Sequence, residues 1–81
     1  MKLEQVLNHY EVTLKPNSTA TFYVVGSVVV SASGCAKAVL EKQTRFTNSS
    51  SVSFFNAAGN LIVSNRDTCP QTIYIDTETY E

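Results

Sequence analysis

The sequence predicts an all-β fold, a small antiparallel β-sandwich or jelly-roll-like barrel of six to seven short strands. Three observations carry that expectation. Apolar and polar residues alternate along most of the chain, the period of a strand with one face on a core. Turn signals recur about every ten residues, the spacing of sandwiches and barrels. Hydrophobic residues make up 43% of the 81 positions, enough for one globular domain over residues 1–81 and too many for a disordered chain.

The elements follow in order. In "MKLEQVLNHY", Leu3, Val6, Leu7 and Tyr10 stand at helical spacing, so a short amphipathic turn or an arm over residues 1–8 is expected. From residue 9 the period becomes two: Tyr10, Val12 and Leu14 alternate with Glu11, Thr13 and Lys15 as a half-buried strand, and Pro16-Asn17-Ser18 turns the chain.

"TFYVVGSVVVSASG" belongs to the longest strand. Ala20, Phe22, Val24, Val28, Val30 and Ala32 share one face, which is the core face. Opposite them Tyr23, Val25 and Val29 interrupt a Ser/Thr face and are too apolar for water, which suggests that a second copy covers them. Gly26 reads as a bulge or bend.

Ser33-Gly34 reads as a hairpin turn. Residues 36–46 are ambiguous. Ala, Leu, Glu, Lys and Gln favour helix, whereas position after a turn favours a strand with Ala36, Ala38, Leu40, Thr44 and Phe46 on one face. "SVSFFN", "AAGN" and "LIVSN" read as strand, turn and strand, and "TIYIDTETY" closes the domain with Ile73 and Ile75 inward and Tyr74, Asp76 and Glu78 outward. Phe22, Phe46 and one of Phe54 and Phe55 are expected in the core.

Net charge is −1, which offers no electrostatic case for nucleic acid. No run is long and apolar enough to predict a membrane helix, and residues 1–10 lack the apolar centre of a signal peptide, so the expectation is a protein made in the cytoplasm and used without secretion. Charge is nonetheless segregated. Lys37, Lys42 and Arg45 against Glu41 make the middle basic, and Asp67, Asp76, Glu78 and Glu81 make the end acidic. Such patches are either solvated faces or the two sides of a contact between copies.

Catalytic parts are scarce. His9 is the single histidine and reads as structural. Asp76 and Glu78 share a strand face, where they could hold a cation, and read as a solvated acidic end. Cys35 and Cys69 match no metal spacing; a disulfide and two free thiols both stay open. Glycosylation triplets at Asn17-Ser18-Thr19 and Asn48-Ser49-Ser50 are expected by chance in so Ser/Thr-rich a chain. No enzyme activity, cofactor or metal is expected.

The order of features over residues 19–76 resembles small structural proteins of bacteriophage virions. The resemblance lies in "TFYVVGSVVVSASG" followed by "SFFNAAGNLIVSNRDTCPQTIYID", and in a closing pattern of Leu61, Val63 and Asn65, a polar loop, and Thr72 to Ile75. The chain departs from that pattern in its short middle, which lacks a Gly-rich turn. The resemblance implies a β-sandwich or jelly-roll-like protein of the virion that decorates, cements or joins parts of a particle as a symmetric oligomer, with itself and other virion proteins as partners. The residues expected at its interface are Tyr23, Val25, Val29, Lys37, Lys42, Arg45, Tyr74, Asp76 and Glu78. The alternative is a monomeric binding module for a glycan or a host protein, with Tyr23 and Tyr74 as its contacts.

Overall fold

A computed structural model describes residues 5–80. The fold is all-β: β1 (Gln5–Leu14), β2 (Thr19–Ala32), β3 (Cys35–Leu40), β4 (Gln43–Asn48), β5 (Ser51–Asn65) and β6 (Gln71–Tyr80). They form one antiparallel sheet in the order β1-β6-β2-β5-β3-β4. Within the stretch expected to be helical, residues 5–10 belong to β1 and pair with β6 from Gln5↔Tyr80 to Leu14↔Gln71. An arm over residues 1–8 is therefore wrong for 5–8, while Leu3 lies outside the described residues.

The β2–β5 ribbon is the spine. It runs from Thr19↔Ser64 to Ser31↔Ser51 with one break, where Gly26 pairs with Ala57 and Val28 with Phe54. Over that step β2 advances two residues and β5 three, so the extra residue of the bulge sits on β5 rather than at Gly26. Gly26 makes the bend. Its φ is +98° and a Cβ there would stand 2.2 Å from the Glu78 carbonyl oxygen, so only glycine fits. Gly59, with φ 150°, bends β5 close by.

The bend folds the sheet back on itself into two layers. The first holds β1, β6, residues 27–32 of β2 and the start of β5. The second holds residues 19–25 of β2, the end of β5, β3 and β4. Contacts across the layers join Tyr10 to Phe22, with rings 5.6 Å apart, and Arg45 to the Phe54 ring at 5.8 Å. Between the layers lies one core. Phe54, Leu61, Ile73, Ile75, Val28, Val30 and Val63 are fully buried in it, each stabilising the fold by about 1.5–3 kcal/mol.

Residues 36–46 are strand, divided by a two-residue turn at Glu41-Lys42 that brings Leu40 opposite Gln43. Glu41 adopts φ 55° there. The tight turn puts Leu40 and Gln43 on the same side, so Ala36, Ala38 and Leu40 face the core but Thr44 and Phe46 do not. Phe46 is 65% exposed and Thr47 is buried in its place. Ser33-Gly34 is not a hairpin turn. It carries the chain from the first layer to the second, where β3 pairs with β4 and β5. "AAGN" is no turn either, because β5 runs through it without interruption.

The end of the roll is closed by a buried polar plug. Asn65 is fully buried. Its Nδ2 donates to the carbonyls of Leu14 at 2.9 Å and Cys69 at 2.8 Å, and its Oδ1 accepts from Asp67 N and Gln71 Nε2. Gln71 in turn donates to the Cys35 carbonyl and accepts from Gly34 N. Among the described residues no buried side-chain nitrogen or oxygen lacks a partner.

Candidate interaction surfaces

Alternation on a two-layered roll leaves two outer faces, one per layer. Register places the residues of each. On the first layer, Glu11, Tyr74, Ser31 and Ser51 stand side by side, then His9, Asp76, Val29 and Ser53, then Leu7, Glu78 and Ser27. On the second, Thr19, Ser64, Lys37 and Phe46 form one row and Thr21, Ile62, Val39 and Thr44 the next, with Tyr23 and Val25 beyond them towards the bend.

The residues expected at an interface thus divide between opposite sides of the molecule. Val29, Tyr74, Asp76 and Glu78 share the first face; Tyr23, Val25 and Lys37 lie on the second. Lys42 sits in the β3–β4 turn, and Arg45 points inward, over Phe54 at the edge. Tyr23 and Tyr74, on different layers, do not make one aromatic platform.

The apolar outer residues are uncovered. Tyr23 is 69% exposed, Val25 46% and Phe55 73%, and Val29 is half-buried between Asp76 and Ser53. Phe46 and Phe55 escape a reading from alternation alone, because the two-residue turn in one case and the β5 bulge in the other reverse which parity points outward.

His9 anchors a charged cluster on the first face. Its Nδ1 lies 2.5 Å from Asp76 Oδ1 and its Nε2 3.1 Å from Glu11 Oε1, while its ring stacks on Tyr74 at 5.9 Å. Two carboxylate oxygens, one at each nitrogen, are best met by an imidazolium that donates from both. The bonds to Asp76 and then to Glu11 raise the His9 pKa above its ordinary 6.5.

Cys35 and Cys69 stand as free thiols, half-buried and exposed respectively. Both lie beside the Asn65–Gln71 plug. His9 is five residues along β1 from Leu14 at that end, about 17 Å at strand rise, out of reach of either thiol as a base. Among the described residues no group of three His, Cys, Asp or Glu is arranged to hold a metal ion.

No family model matches the chain, and no curated protein matches it. The fold does have a solved counterpart: the solution NMR structure of a de novo designed double-stranded β-helix, with TM-score 0.70 and 22% sequence identity over 89% of this chain and 99% of that one. The likeness shows the fold. A ribbon of two long antiparallel strands, bent so that its halves face each other across a core, is what the β2–β5 register describes.

Proposed function

We propose that this chain is a non-enzymatic structural protein that self-associates, of the kind that decorates, cements or joins parts of a bacteriophage particle. One observation supports self-association above the rest. Tyr23, Val25, Phe46 and Phe55 form exposed apolar surface on strands whose other face is already fully used by the core. Isolated apolar residues on a surface are ordinary, but Tyr23, Val25 and Phe46 together on the outer face of the second layer mark an interaction site. The roll has also spent its polar chemistry on structure: Asn65 and Gln71 close one end, and His9 is held between two carboxylates. The placement in a virion rests on the order of features along residues 19–76.

Light scattering on the full chain tests the first part. A discrete multiple of 8.9 kDa is expected, and the mass of one chain at every concentration overturns it. Quantitative mass spectrometry of purified particles from a phage that encodes the chain tests the second. A fixed multiple copy number is expected, and absence from the particles overturns the virion placement.

A further inference from the structure

The two outer faces differ in charge as sharply as in position. Of the charged residues described, Glu11, Asp76 and Glu78 lie on the first face, with the His9 imidazolium between the first two as the cation there, so the face is net acidic. Among the described residues Lys37 lies on the second face, with Lys42 in the β3–β4 turn at its edge and Glu41 as the acid beside it, while Arg45 is turned inward over Phe54. The other described charges, Lys15, Arg66 and Asp67, sit in the loops at the plugged end. Each face also carries apolar surface: Leu7, Tyr74 and half-buried Val29 on the first, Ile62, Phe46 and Tyr23 on the second.

We propose that copies of this chain pack head to tail, the acidic outer face of β1, β6 and β2 of one copy seated on the basic apolar face of β2, β5, β3 and β4 of the next. The proposal rests on the self-association proposed above and adds its polarity. A face-to-same-face dimer would set Glu11, Asp76 and Glu78 against their own copies, or Lys37 and Lys42 against theirs, and like charges set across an interface disfavour it. The mixed contact instead sets Lys37 and Lys42 of one copy against Glu11, Asp76 and Glu78 of the next. The partner that fits both faces at once is a second copy, since the chain itself carries the complement of each. Size allows it: a standard contact takes about 800 Å² per partner, and the surface of the chain is 5195 Å², so two such contacts leave most of it free. Because the contact joins two different surfaces, it propagates, closing into a ring if the rotation between copies divides a full turn and otherwise growing as a filament.

Two blocked variants test the polarity. Val29→Arg places a long cation-bearing chain in the middle of the first face, and Ile62→Arg does the same on the second; circular dichroism checks that each keeps its strands. The wild-type chain is expected to form an oligomer and each variant to run at the mass of one chain. Mixed one to one, the variants are expected to give a species of twice that mass and no larger, since each retains one open face. Phe46→Asp and Glu11→Arg, at the margins of the two faces, replace either variant that fails to fold. An oligomer that survives blocking of one face, or a mixture that stays monomeric while the wild type assembles, overturns head-to-tail packing and leaves self-association standing. A monomeric wild type overturns both.

Discussion

Gln71 donates from Nε2 to Asn65 Oδ1 at 2.6 Å, a buried bond between two amides that together knit β1, β3, β5 and the loop before β6. Every donor and acceptor of the Asn65 side chain is in use. Substituting Asn65→Leu keeps the volume but takes the partner from one of the two Gln71 Nε2 hydrogens and from the Asp67 N–H, and removes the amide bonds to the Leu14 and Cys69 carbonyls, while the Gln71 bond to the Cys35 carbonyl stays. A loss of about 3 kcal/mol is expected, the scale of one or two buried polar groups left unpaired, read as a lowered urea midpoint. An unchanged midpoint would mean that water repairs the plug.

Gly26→Ala is expected to be among the worst single-methyl additions in the chain. The new Cβ meets the Glu78 carbonyl at 2.2 Å and the Thr79 side chain at 2.6 Å, and φ +98° suits no L side chain. Strain and overpacking together set the cost at about 2–4 kcal/mol. The loss should appear equally in urea and thermal melts.

Phe54 and Phe55 are neighbours in sequence with opposite fates, 1% and 73% exposed. Phe54→Ala should cost about 3–5 kcal/mol through the cavity it leaves. Phe55→Ser should leave stability within about 0.5 kcal/mol. Equal effects would place the β5 bulge elsewhere.

His9 should titrate above 6.5, followed by the imidazole proton shifts in NMR, because Asp76 and Glu11 hold its proton. The linked stability is fully present below the unfolded value of 6.5 and fades as pH rises through the higher folded value. Asp76→Asn removes the largest cause and should bring the midpoint down. Since the cluster is exposed, the shift should shrink in high salt.

Much of this was legible where a strand keeps one parity. Val24, Val28, Val30 and Ala32 and the pair Ile73 and Ile75 are buried as alternation predicts, and Tyr74, Asp76 and Glu78 point outward. Alternation fails where parity is reset without a recognisable signal. Glu41-Lys42 contains neither Gly nor Asn, so nothing in the local chemistry announces a turn, and unbroken alternation places Phe46 on the wrong side. "AAGN" has the opposite fault: it carries turn chemistry, yet Gly59 only bends a continuous strand. Ser33-Gly34 marks a real change of direction, but whether a chain turns back or crosses to another layer is decided by partners far away in sequence. The two faces were partly legible, as segregated charge along the chain. That they stand on opposite sides of the molecule depends on the bend at Gly26, which brings Tyr23 and Tyr74 to different layers.

The pairing of β1 with β6 has a kinetic consequence. Among the described strands β1 hydrogen-bonds along its length to β6 alone, so β1 must wait for β6. During synthesis β2, β3, β4 and β5 can assemble as soon as Asn65 is free of the ribosome, while β1 and the edge of β2 at residues 27–32 stay unpaired until β6 emerges. Such distant pairings fold in milliseconds to seconds. Over that interval the nascent chain displays a bare Val-rich edge, and this is where a misfolding event or a chaperone would intervene.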